Sequence, residues 1–312
     1  MSRQFFGTHF LAVVFCAVSA LPAQAQGPSP ETGATLFPGG ALISYNSVFT
    51  TRGLGGSSSP LAPSARPTFA HEATFTFAWG FHRNWELAAE LPLATHHFDI
   101  PGSPTSAGGT GLGDLMVLVK YRFYRRDSER GTTQASFTAG PKLPTGRTDL
   151  RDSNGNALPA GLQPGSGSTD LFLGGSWTYT GLLHVERLVA DDETSYLLRT
   201  EGTGSERLGS VLNSRFWLSY RPYQAREVGK EWFIGPELAW MHQQHDRVAG
   251  VFVPASAGDV LLAGATTYFS PHPGMHIWLG LEFPVAQTTA SSFMKTRHRI
   301  SFGITKQFRL QH

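Results

Sequence analysis

The chain has 312 residues, of which 15% are charged and 12% aromatic, with 35 glycines. A formal net charge of +2 supplies no bulk attraction for nucleic acid. So little charge beside so many aromatic side chains excludes a disordered chain, and the slightly polar mean hydropathy excludes a bundle of membrane helices.

At the N-terminus, Arg3 provides a short basic start and residues 10–18 an apolar core. Ala23, Gln24 and Ala25 form a small-x-small site, which predicts a signal peptide cleaved after Ala25 and a barrel domain over residues 26–312. The single cysteine, Cys16, lies inside that signal, preceded by Phe15 rather than by the small residue of a lipoprotein signal. An exported chain of this kind carries no disulfide, thiolate metal site or cysteine nucleophile. Past the signal, no run reaches the roughly 20 apolar residues of a spanning helix. A chain of this composition can cross a bilayer only as a closed barrel, since hydrocarbon leaves backbone groups no other partners.

Period-2 alternation then recurs along the chain. After a first strand near residues 41–51, Phe69, Ala73, Phe75, Phe77 and Trp79 alternate with Ala70, Glu72, Thr74, Thr76 and Ala78. Trp85, Leu87, Ala89, Leu91 and Leu93 alternate with Glu86, Ala88 and Glu90. Leu115, Val117, Val119, Tyr121 and Phe123 alternate with Asp114, Met116, Leu118, Lys120 and Arg122. The same period governs segments around residues 134–139, 170–179, 215–221, 276–283 and 299–308. This is the pattern of strands with one apolar and one polar face.

The connections alternate in length. Long polar links at 52–67, 99–111, 143–168, 246–257 and 287–295 are interleaved with short ones at 80–84, 126–131, 222–230 and 271–274. Between Tyr179 and Leu208 the turn falls either near Gly181 or near Asp191 and Asp192, and turn chemistry favours the acidic pair. Aromatic side chains border short turns: Trp79, Phe81 and Trp85; Tyr121, Phe123 and Tyr124; Tyr268 and Phe269. Such girdles belong at lipid–water interfaces. The fold expected is all-β: a transmembrane antiparallel up-and-down β-barrel of about twelve strands with periplasmic termini. A soluble sandwich is the competing fold, and the loop asymmetry and strand length argue against it.

Three segments carry a family resemblance: GTGLGDLMVLVKYR at 109–122, GPKLPTG at 140–146 and LQPGSGSTD at 162–170. In that order they resemble the MetA-pathway of phenol degradation family of bacterial outer-membrane transporters. The resemblance implies a barrel passing small, aromatic or apolar molecules, and it supplies no catalytic or binding residues. Many outer-membrane barrels end on an aromatic residue used by the assembly machinery. Here Phe308 is followed by four more residues, so that signal is displaced.

Gly109 to Gly113 is no phosphate loop, because a strand rather than a helix follows it. His242 and His245, three apart on a strand, point to opposite faces. His272 and His276 flank a turn with no third ligand near in sequence, so no metal or other cofactor is expected. No nucleophile-elbow sequence accompanies the serines and histidines, which argues against an enzyme.

The inward charges are the candidate site of a translocation path: Glu72, Glu86, Glu90, Lys120, Arg122, Lys142, Arg215, Arg221, Glu237, Glu282, Arg297 and Arg299. Acids crowd the second and third strands and bases the fourth and fifth. Closure brings Arg297 and Arg299 near the early wall. These charges either line a selective path or cross-link a plugged lumen. The expected function is passive passage of small molecules; the alternative is a structural or adhesive barrel with a closed lumen. The expected partners are outer-membrane lipid, a small-molecule solute and the barrel-assembly machinery during biogenesis, with no nucleic acid.

Overall fold

The computed structural model describes residues 33–53, 68–99, 106–129, 131–224, 231–289 and 295–310; the signal peptide and its cleavage site lie outside them. Each alternating segment is a strand: β1 Gly40–Gly53, β2 Phe69–His82, β3 Trp85–Asp99, β4 in two pieces Ser106–Leu112 and Met116–Ser128, and β5 Gly131–Lys142. The second half supplies β6 Asp170–Thr180, β7 Leu188–Leu198, β8 Val211–Gln224, β9 Glu231–Gln243, β10 Gly258–His272, β11 Met275–Thr289 and β12 Lys295–Arg309. Thirteen segments form one sheet, and the two pieces of β4 reduce them to twelve strands.

Every neighbouring pair is antiparallel, and the ring is closed. β1 pairs with β12 from Gly40↔Arg309 to Gly53↔Lys295, and with β2 from Gly40↔Gly80 to Thr51↔Phe69. Closure leaves no sheet edge. Both ends of the ring at Gly40 and Arg309 lie on the side of the short turns, such as those joining His82 to Trp85 and His272 to Met275.

The alternation sorts the side chains as the sequence predicts. Phe75, Phe77, Leu87, Val119, Phe137, Leu238, Leu279, Leu281 and Phe283 are exposed on the outer wall. Lys120, Arg122, Glu237, Glu282 and Arg299 are buried within. An outer wall this apolar is stable only against hydrocarbon, because monomeric soluble proteins do not expose apolar patches of such extent. Near the short turns, Trp79, Phe81, Trp85 and Tyr121 form a chain of rings with centroids 5.7, 6.5 and 4.4 Å apart. They make the predicted girdle. Tyr268 does not join it: it lies on the inner face beside Phe233, because Phe269 takes the outward position.

Two local expectations are corrected. The chain turns at residues 181–187, and Asp191 and Asp192 lie inside β7, opposite Thr178 and Trp177. Gly181 sits at φ 80°, a left-handed conformation that costs glycine little, while Asp191 gains a hydrogen bond from Thr178 Oγ1 at 2.6 Å. The second concerns residues 109–113. Gly109 to Leu112 are strand rather than loop, and the interruption comes at Gly113 to Leu115. Opposite it stands Pro92 of β3, which has no N–H to donate; its carbonyl accepts instead from Gly113 N–H at 2.7 Å.

Candidate functional site: the barrel interior

Two segments outside the strands enter the ring. The long connection after β5 is the first. Leu143 N–H and Arg147 N–H donate to the carbonyls of Leu115 and Leu112, continuing the wall beside the interrupted strand. Its middle then folds inward. Leu150, Leu158 and fully buried Leu162 pack on Phe98 and Ala107. Gln163 ties the segment to itself through the carbonyls of Leu150 and Leu158, and Ala160 N–H donates to Glu206. At the segment's exposed tip, the Asn156 backbone N–H bonded to Asp152 helps hold that carboxyl below its ordinary range.

The second segment is residues 33–38, which precede β1. Gly33 N–H donates to Thr178 Oγ1 and Leu36 N–H to Glu86 Oε2, both at 2.9 Å. A Cβ on Gly33 would stand 2.5 Å from the Gln134 carbonyl oxygen, so only glycine permits this approach. Leu36 and Phe37 thus cover part of the lumen at its short-turn end.

Between these two segments lies a cavity of about 600 Å³. Leu36, Phe37, Leu42, Met116, Trp217 and Phe233 give it apolar surface. Six carboxylates (Glu72, Glu86, Glu90, Asp191, Glu193, Glu231) and three cations (Arg52, Lys120, Arg199) also face it among the described residues.

Nine of the twelve charged residues expected inside fall into three groups. Glu72, Glu86, Glu90 and Lys120 line the cavity, with His96 3.6 Å from Glu72. Lys142 instead anchors the inward segment: fully buried, it meets Asp114 at 2.5 Å and Asp170 at 2.9 Å. Asp114 also accepts from the N–H groups of Gly146 and Ser166 and from the Ser166 hydroxyl. The third group is a network on the late strands. Arg215 bridges Glu237 and Glu282, and Arg299 Nη2 donates to Glu282 Oε1 at 2.6 Å. Thr266 adds a hydroxyl to Glu237, and Met241 Sδ lies 3.4 Å from Arg299.

The remaining residues sit elsewhere. Arg122 is buried near the short turns, donating to Gln134 Oε1, Asn84 Oδ1 and the Arg83 carbonyl. Arg221 pairs with Glu231 at 2.9 Å and lies over the Phe233 ring. Arg297 does not face the lumen. It is exposed at a register shift in the β1–β12 ladder, where Thr51 pairs with His298 and Arg52 with Thr296, so the extra residue breaks the alternation. Nor are the charges arranged as opposed walls. Glu72, Glu86 and Glu90 stand on β2 and β3 and Lys120, Arg122 and Lys142 on the adjacent β4 and β5, while on the late strands Arg215 on β8 meets Glu237 on β9 and Glu282 on β11, and Arg299 turns to Glu282 rather than toward the early wall. Asp114, Asp170, Glu193 and Trp217 were not singled out from sequence. For Asp114 and Asp170 the signal was available, since both flank Lys142 in motifs rich in glycine and serine.

A closed antiparallel ring with an apolar outer wall and a charged, partly filled interior defines a transmembrane β-barrel of the bacterial outer-membrane type. Residues 74–297, well over half of the chain, match the model of the family described as "Putative MetA-pathway of phenol degradation", and the chain belongs to that family. No curated protein matches it in sequence.

Among solved structures, it is similar to an outer membrane channel from Pseudomonas putida F1. The identity is 14% over 89% of this chain and 99% of that one, with a TM-score of 0.62. The β domain of the Bordetella autotransporter BrkA is 10% identical over 86% of this chain and 100% of its own, TM-score 0.48. A deletion mutant of the monoaromatic hydrocarbon channel TodX is 12% identical over 95% and 96%, TM-score 0.44.

Proposed function

We propose that this chain resides in a bacterial outer membrane and passes small apolar molecules down their concentration gradient through its interior. In this reading the signal peptide is removed after Ala25, the termini and short turns face the periplasm, and the long connections face outward. The lipid of that membrane, the solute and the assembly machinery are then its partners. The observation that carries the proposal is the cavity itself: about 600 Å³, bounded by apolar side chains as well as charges, inside a closed ring whose outer wall suits hydrocarbon. A volume of that order holds one small molecule rather than a water column. Family membership supports the same reading.

The competing reading is a structural or adhesive barrel with a closed lumen. It draws support from the buried network of Arg215, Glu237, Glu282 and Arg299, whose charges are matched among themselves. Uptake assays in liposomes with a radiolabelled apolar solute, together with single-channel recording in planar bilayers, separate the two. Passage of the solute above protein-free controls is expected. Neither uptake nor conductance in correctly folded protein would leave only the closed barrel.

A further inference from the structure

The long connections carry a small sheet of their own. Its short strands are Glu206–Arg207, Arg247–Val248 and Val251–Phe252, with Arg247–Val248 in the middle. Arg247 pairs with Arg207 on one side and with Phe252 on the other, so the three side chains stand in a row on one face. Glu206 is on the opposite face, where it accepts a hydrogen bond from Ala160 N–H of the inward-folded connection. The arginine face is therefore turned away from the lumen.

That row sets two cations directly opposite each other across a ladder, which costs stability unless an anion lies between them. Neither guanidinium forms an ion pair among the described residues, and Arg247 lies over the Phe252 ring, 4.3 Å from its centroid. A second, independent observation is a recess of about 310 Å³ beside them. Among the described residues, Arg199, Arg207 and Arg247 give it cations, Glu201 its one carboxylate and Leu198 apolar surface. Leu198 ends β7 on the outer wall, 38% exposed and paired with Leu171 at 41%. The recess thus lies where the apolar outer wall ends and the long connections begin.

We infer that Arg207 and Arg247 clamp the phosphate of a lipid in the leaflet at the long-connection end of the barrel, with its acyl chains against Leu171 and Leu198. The inference rests on membrane residence in the reading above and not on passage. Guanidinium groups take phosphate oxygens in pairs, and the Phe252 ring holds that of Arg247 in place before the headgroup arrives. A free anion gains the charge contacts without the apolar ones, so the position of Leu198 favours a phosphorylated lipid over inorganic phosphate.

The test uses the full-length mature protein, refolded free of native lipid in an uncharged detergent, with native mass spectrometry to count what it retains. The probes are dioleoylphosphatidic acid, dioleoylglycerol with the same chains and no phosphate, and inorganic phosphate. Phosphatidic acid should be retained as a single adduct, roughly thirtyfold more tightly than dioleoylglycerol, as expected for two arginines at a charged headgroup. Combining Arg207→Gln with Arg247→Gln should remove that preference. The lipid-free variant should keep or raise its midpoint of heat modification, because the facing charges are gone. If that variant does not fold, phenylglyoxal footprinting of the unaltered protein decides, since phosphatidic acid should protect Arg207 and Arg247 from modification.

Equal retention of the two lipids, undiminished preference in the double variant, or Arg207 and Arg247 left unprotected would each overturn the clamp. Inorganic phosphate that displaces phosphatidic acid at comparable concentration would overturn the lipid as ligand and leave a site for free anions. A mature chain that does not insert into vesicles would overturn membrane residence, whereas insertion without headgroup preference would overturn the clamp alone.

Discussion

Lys142 Nζ lies 2.5 Å from Asp114 Oδ2, and both side chains are shut away from solvent. The pair joins the end of β5 to the interruption of β4, two points 28 residues apart in the chain. With Asp170 and the Ser166 and Ser168 side chains around it, it fixes where the long connection bends into the lumen.

Lys142→Ala leaves Asp114 and Asp170 buried without their shared cation. Removing one partner of a buried pair costs about 3–5 kcal/mol. The midpoint of the heat-induced shift from folded to unfolded band on a gel should fall accordingly. An unchanged midpoint would mean that the inward segment is held by its apolar packing on Phe98 and Ala107 alone.

Val117 lies on the outer face of β4, between the inward residues Met116 and Leu118. An arginine at that position meets hydrocarbon and costs about 2–4 kcal/mol near mid-membrane. Val117→Arg should reduce the folded fraction in urea titrations in lipid vesicles. Full retention of stability would place this face against something other than lipid.

Arg297 and Arg299 are two residues apart yet should behave differently. Arg299→Ser deprives buried Glu282 of its closest cation, leaving Arg215 at 3.5 Å, and should lower stability by about 3 kcal/mol. Arg297→Ser removes an exposed side chain and should change stability by less than about 0.5 kcal/mol and leave single-channel conductance unchanged. A conductance change in Arg297→Ser alone would show that this side chain reaches the path after all.

Residues 33–37 cover part of the lumen's short-turn end, held by Glu86 and Thr178. Deleting those five residues should raise conductance in planar bilayers and widen the size range of solutes that enter liposomes. If conductance stays as it was, the constriction lies at the inward-folded connection instead.

Much of this architecture is legible along the chain. In NWELAAELPLA at 84–94, Leu87 and Leu91 face outward and Glu86 and Glu90 inward because a strand turns successive side chains to opposite sides. That rule is local, so it sorts residues into faces wherever the register runs unbroken. It failed at Arg297 because a single extra residue at a register shift reverses the alternation, and nothing in the neighbouring sequence marks the shift. It failed at Asp191 and Asp192 because turn propensity was weighed without the Thr178 hydroxyl, which lies across the ladder.

The amino-acid sequence by itself determined most of the strands, their two faces where the register is unbroken, and their closure into a ring, since each follows from a periodicity or a loop length. The tertiary structure alone decided which interior charges meet. Arg299 with Glu282, and Lys142 with Asp114 and Asp170, depend on side chains reaching across strands and on the long connection folding inward. Such contacts are set by distances between strands remote in the chain, and a two-residue period carries no record of them.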